Sequence, residues 1–202
     1  MEKDRLIAFS DGVLAVVITI MVLELKAPHD ASLGALASAT PTFLAYVLSF
    51  VYVGIYWNNH HHLFTLVSAV RGVVLWANLH LLFWLSLIPF TTSWLGEHPD
   101  SAWPAAIYGA SLLMPAIAWY LLQTLLIRGE GGRRSDLARA LGRDLKGKVS
   151  PALYLGAIAL SFRSPAAAEA VYAVVALMWL VPDPRIERAV RLEAGRGRAP
   201  PD

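Results

Sequence analysis

The chain has 202 residues, of which 56% are AVILMFWYC and only 16% DEKR. Its mean hydropathy is +0.51, whereas ordinary globular domains carry about 25% charged residues. A soluble domain of this length cannot hide so much apolar surface, so the composition excludes disorder and a nucleic-acid-binding module and points to a bilayer. The formal net charge of +2 is too small to specify an acidic partner, and the absence of cysteine excludes disulfides, thiolate metal sites and cysteine nucleophiles.

In chain order, apolar runs predict membrane helices at 6–25, 42–67, 72–95, 102–127, 149–162 and 165–181. The expected fold is an all-α, multi-pass membrane domain over residues 1–182, with six helices. The first four runs reach the roughly 20 residues that a helix rising about 1.5 Å per residue needs to cross about 30 Å of hydrocarbon. The last two are short and read as a helical hairpin broken at Arg163-Ser164-Pro165, because Pro suits a first helical turn and disfavours helix before it. Two crossings are expected there, with a re-entrant pair as the alternative. The first run has no small-x-small cleavage site before Lys26, so it reads as a retained helix and not a signal peptide.

Orientation follows from Lys and Arg. Two precede helix 1 (Lys3, Arg5), and Arg71 lies between helices 2 and 3. Seven fall at 128–148, starting at Arg128 and ending at Lys148, and five follow the last helix. Only Lys26 and Arg163 lie on the other side. Both termini are therefore expected in the cytoplasm of a cell-membrane protein. There 128–148 forms a basic loop with a short amphipathic helix near Ser135–Leu145, and 183–202 forms a basic tail. Outside, Glu24, Asp30, Glu97 and Asp100 exceed the bases, which either makes an acidic mouth or is solvated loop charge. Pro89 and Pro115 predict kinks, and Trp84, Trp94, Trp103 and Trp119 predict interfacial anchors.

Polar side chains inside hydrocarbon cost several kcal/mol unless paired or wet, so each marks a candidate site. Helix 1 carries Ser10-Asp11; helix 2 ends in Trp57-Asn58-Asn59-His60-His61-His62; helix 3 carries Asn78 and His80. The assigned orientation places all three groups in the inner leaflet, which predicts one cluster joining helices 1–3 with Asp11 as acceptor and His or Asn as donors. Three roles are open to it: a structural clamp, a proton-sensitive element built on histidine, or a metal site using His61, His80 and Asp11. Consecutive histidines stand about 100° apart on a helix, so the three cannot all face one ion. No catalytic arrangement, phosphate loop or dinucleotide motif is present, and neither an enzyme nor a cofactor is expected.

On helix 1, Val16, Ile20 and Leu23 advance by four and three residues and lie within about 60° of one another, with Gly12 one turn below. Asp11 is about 140° from Val16, and Val16 lies about ten residues, roughly 15 Å, into the membrane. Such a stripe faces lipid, a neighbouring helix or a pore.

The stretch from Arg5 through Phe9-Ser10-Asp11 to Leu23-Glu24 resembles the first-helix motif of the transmembrane protein 175 family of potassium channels. Trp57-Asn58-Asn59-His60-His61 and Leu85-Ser-Leu-Ile-Pro89-Phe90 resemble that family's next two landmarks, so that the likeness covers residues 5–95. The resemblance implies a homotetramer conducting K⁺, with other monovalent cations open as further permeants, and no resident cofactor. It also implies a central pore lined by helix 1, with its constriction at Val16, further layers at Ile20 and Leu23, and Thr19 between them. Such channels lack a Thr-Val-Gly-Tyr-Gly filter and a voltage sensor, and narrow the pore with apolar rings; most members carry Ile or Leu where this chain has Val16. Arg5, Phe9, Ser10, Asp11, Trp57, Asn58, His60, His61, Asn78 and His80 then make up the motif and its polar network. The rival functions are a proton- or cation-coupled transporter using Asp11 with the histidines, and a metal-dependent membrane enzyme.

Overall fold

A computed structural model describes residues 3–28, 30–142 and 144–181. The basic tail at 183–202, and with it the five C-terminal arginines, lies outside the described residues. All regular structure among the described residues is helical: α1 (Lys3–Leu23), α2 (Leu33–Ser38), α3 (Thr40–Thr65), α4 (Gly72–Ser86), α5 (Ile88–Glu97), α6 (Ala102–Gly129), a 3-10 turn at Gly132–Arg134, α7 (Asp136–Leu141), α8 (Leu145–Ser161) and α9 (Pro165–Leu180).

Among the described residues four stretches are long and apolar enough to cross a membrane: α1, α3, α4 with α5, and α6. The third is broken at Leu87. Pro89 supplies no N–H, and its ring crowds the carbonyl four residues back. The chain therefore turns once at Leu87, whose N–H bonds to Trp84 O at 3.3 Å, and resumes as α5. Pro115 sits inside an unbroken α6. Ser164 caps α9 by accepting from Ala167 N at 3.3 Å, with Pro165 in the first turn, so α8 and α9 fold back on each other through a three-residue link.

Two apolar cores stack along α3 and α6, which run through both. One gathers α1, α4, α7 and the C-terminal halves of α3 and α6, around Leu14, Val17, Phe64 and Leu122. The other gathers α8, α9 and the N-terminal halves of α3 and α6, around Tyr52, Tyr108, Tyr154 and Tyr172. Close approach in the second core depends on Gly109. A Cβ there would strike the Tyr172 hydroxyl and lie 2.7 Å from Ile158 Cγ1, whereas glycine lets Tyr172 donate to Ala105 O at 3.1 Å.

Candidate functional site

The three polar groups of the apolar runs separate into a network that joins three helices and several side chains outside it. Ser10 Oγ donates to Leu6 O at 2.9 Å, bonding back one turn as a serine in a spanning helix does. The same oxygen accepts from Asn78 Nδ2 at 2.9 Å, and Asn78 Oδ1 lies 2.8 Å from His60 Nε2. A carbonyl oxygen only accepts, so Nε2 carries the proton and donates. All three residues are buried, and the His60 ring packs on Phe64 with centroids 4.5 Å apart. Helices α1, α3 and α4 are thereby joined by one amide reaching in two directions.

Asp11 is not the acceptor of this network. It stands about 100° round the helix from Ser10, and Ser10 holds the direction facing α4. Asp11 is half-buried, and its Oδ1 is buried without a hydrogen-bond partner among the described residues. His80 instead accepts from Trp84 Nε1 at 2.7 Å, one turn along its own helix. His61 is exposed and meets the His62 ring edge-on at 6.0 Å, while Trp57 and Asn58 are exposed on the same outward side of α3. Arg5 and Phe9 are exposed on α1. The structure thus joins Ser10, His60 and Asn78 and leaves Asp11, His61 and His80 without a continuous hydrogen-bonded path. Among the described residues, no three His, Cys, Asp or Glu side chains are placed to hold a metal ion.

The rest of α1 divides by face. Leu14, Val17 and Met21 are buried, Val17 at 3% exposure, against the core shared with α3, α4 and α6. Val16, Ile20 and Leu23 are exposed, at 54%, 42% and 78%. Gly12 and Thr19 lie on the same open side, and Thr19 Oγ1 donates back to Val16 O at 2.9 Å. This side forms one wall of a groove of about 900 Å³ whose other wall is Pro89, Phe90 and Trp94 of α5. At the far end of the groove Ser93 Oγ donates to Glu24 at 3.2 Å, and Lys26 Nζ donates to Glu97 Oε1 at 3.0 Å. That hydrogen bond, helped by the Glu97 charge, holds the Lys26 ammonium above its ordinary pKa. The base most able to cancel the acidic groups there is itself engaged.

Sequence reading missed a second polar layer. Ser49 Oγ lies 2.6 Å from Thr92 Oγ1 and 2.9 Å from Tyr108 OH, and Thr91 Oγ1 lies 2.9 Å from Ser111 Oγ. These link α3, α5 and α6 at the opposite end of the spans from Ser10. The available signal was hydroxyls recurring in otherwise apolar runs. It also missed the ties at the other end, where Lys3 Nζ donates to Val67 O at 2.9 Å and Ser68 N and Oγ both donate to Glu130 at 2.9 Å. Trp119 is no interfacial anchor: it is buried edge-on to Tyr56, with centroids 6.1 Å apart.

A family model described as "Endosomal/lysosomal potassium channel TMEM175" matches residues 5–89. A potassium channel of Chryseobacterium sp. (strain P1-3) is 53% identical over 191 residues, covering 95% of this chain and 99% of that protein. The crystal structure of a lysosomal potassium-selective channel TMEM175 homolog from Chamaesiphon minutus superposes with a TM-score of 0.78 at 33% identity, covering 89% of this chain and 96% of that one. The human endosomal/lysosomal proton channel TMEM175 is 42% identical over 96 residues, 41% of this chain and 19% of that protein.

Proposed function

The chain belongs to the TMEM175 family, and from that premise we propose that it is a passive potassium channel, a homotetramer whose central pore is lined by α1. It is an ion channel and not an enzyme. The observation that carries the pore assignment is the division of α1: Val17 and Met21 are packed, while Val16, Ile20 and Leu23 form an apolar stripe left exposed among the described residues. Four copies of that stripe around an axis give stacked rings of Val16, Ile20 and Leu23, with Thr19 between them. Apolar rings of this kind gate by dewetting: water leaves the constriction unless it is wide or polar enough to hold it, and the ion barrier rises with the water's departure. Val16 sets the narrowest ring, and the Ser10–Asn78–His60 clamp fixes the rotation that turns Val16 toward the axis. Potassium is the permeant species, with no cofactor in the conduction step.

Six crossings with both termini in the cytoplasm complete the proposal. Helices α8 and α9, with 17 and 16 residues, measure roughly 25 Å and 24 Å at about 1.5 Å per residue. They fall a few ångströms short of average hydrocarbon thickness, which local thinning accommodates. The membrane domain then spans 1–182, and 128–148 and the 183–202 tail are its basic cytoplasmic segments in the cell membrane.

The test is flux from liposomes holding a K⁺/Na⁺ gradient, comparing Val16→Asn with Val17→Asn. Val16→Asn hydrates the constriction, raising total cation flux and lowering K⁺ preference. Val17→Asn loses folded protein. A Val16→Asn channel with unaltered flux and selectivity removes α1 from the pore.

A further inference from the structure

A second cavity, of about 550 Å³, opens between α3, α6, α8 and α9. Its apolar wall includes Phe50, Ile55 and Leu63 of α3 and Trp179 and Leu180 of α9. Its polar lining is Asn58, Asn59 and His62 of α3, Gln123 of α6, and Asp144 and Lys146 where α8 begins. Asn58 lies seven residues, about 10 Å, from the end of a spanning helix. Neither its amide nor that of Asn59 hydrogen-bonds to any described residue, an expensive position in hydrocarbon unless something polar comes to meet them.

Gly54 supplies an independent observation. It lines this cavity in the interior of α3, where glycine is less favourable than alanine, yet a Cβ built there meets no atom within 4 Å. Packing within the chain does not demand a glycine, which keeps the cavity open instead. The lining carries one carboxylate and one ammonium, Asp144 and Lys146, and the basic excess comes from the segment beside it. Asp144 turns back to cap α8, Oδ1 accepting from Gly147 N at 3.0 Å, so its carboxylate is held by the backbone. Lys146 Nζ reaches Val181 O at 2.7 Å across the mouth. The surrounding segment 128–148 carries seven Lys and Arg against Glu130, Asp136 and Asp144. An apolar slot ending in amides, with Lys146 at its mouth and a net-basic segment beside it, is the chemistry of an anionic phospholipid site: acyl chain along Phe50, Ile55 and Leu180, glycerol esters at Asn58 and Asn59, phosphate toward Lys146.

We infer that this cavity holds one anionic phospholipid. The test is photolabelling of the detergent-purified full-length protein with diazirine-tailed phosphatidylglycerol, mapped by mass spectrometry, with phosphatidylcholine of the same tail as comparison. Label should concentrate in 50–66 and 145–181 and favour phosphatidylglycerol. Gly54→Leu puts an apolar side chain into the slot from a position where a Cβ meets no atom within 4 Å. It should cut that labelling about tenfold, equivalent to roughly 1.4 kcal/mol, while labelling on the exposed Trp76 and Phe83 face of α4 stays as it was. Lys146→Gln should erase the headgroup preference while keeping tail labelling. Equal labelling of Gly54→Leu and the wild type overturns the site. So does equal labelling by the two lipids, or crosslinks showing residues 182–202 or a second copy in the slot. None of these readouts depends on conduction, so they stand apart from the pore assignment.

Discussion

Val16 and Val17 are the same residue at adjacent positions on α1, and their surroundings are opposite: one half exposed on a groove, the other sealed against α3, α4 and α6. The same holds for Ile20 and Met21. Hydropathy cannot separate them, since both faces are apolar. What sets the rotation of the helix is Ser10, which lies seven residues before Val17 and so within about 20° of it on the wheel. Its bond to Asn78 turns that face inward and leaves Val16 outside. In a membrane, where lipid tails are as apolar as leucine, a few hydrogen bonds and close packing decide which apolar face is closed.

The largest expected effect comes from forcing polarity into the closed face. Val17→Asn should cost about 2–4 kcal/mol, from a stranded amide plus lost valine burial, against under about 0.5 kcal/mol for Val16→Asn. Thermal aggregation followed by size-exclusion chromatography measures both, and similar losses would mean the two faces are equivalent. Next is the clamp that separates the faces. Asn78→Ala leaves His60 Nε2 buried and unpaired, at about 1–3 kcal/mol, and frees α1 to rotate. The expected result is a lower melting point together with a flux that no longer depends on whether position 16 or 17 is substituted.

Asp11 stands between the faces and should matter less. Because its Oδ1 makes no bond within the described chain, Asp11→Asn should destabilise less than Asn78→Ala in the same melt. A larger loss would show that Oδ1 has a donor outside the described residues. The smallest effect belongs to Lys26→Gln at the Glu97 end of the open face. It should leave stability unchanged but release Glu97 and raise cation current at low salt. The difference should vanish near 1 M salt, where the screening length is about 3 Å. The Lys26 contact is complete below the ordinary lysine range and is lost only as pH climbs through the raised value, so near neutrality this comparison carries no pH dependence.

Much of this organisation was legible before any coordinates. The long apolar runs marked the spans, and Ser10, His60 and Asn78 stood out because polar groups in hydrocarbon need partners. Their exact pairing was not legible. Of the three consecutive histidines His60 is buried in the network, His62 is half-buried against the second cavity and His61 is exposed, and helix rotation, which sequence spacing leaves free, decides that. Asp11 was assigned the acceptor role on charge, yet its neighbour in sequence held the right direction. The layer at Ser49, Thr92 and Tyr108 stayed hidden because Ser and Thr satisfy themselves against their own helix, as Thr92 does by donating to Ile88 O at 2.7 Å, and so give no sign of a partner elsewhere. The break at Leu87 was marked by Pro89, and the sequence located it to within a turn.

The bond from Tyr52 OH to Tyr172 O, 2.6 Å long, joins positions 120 residues apart. At about 5–20 residues per second of synthesis, Tyr52 is made roughly 6–24 s before its acceptor. During that interval α3 sits in the bilayer with a phenol that has no partner on the α8–α9 hairpin. The tyrosine core therefore closes only when this hairpin arrives, and a nascent chain that stalls before residue 172 presents an open, polar-edged cleft to whatever quality-control machinery surveys the membrane.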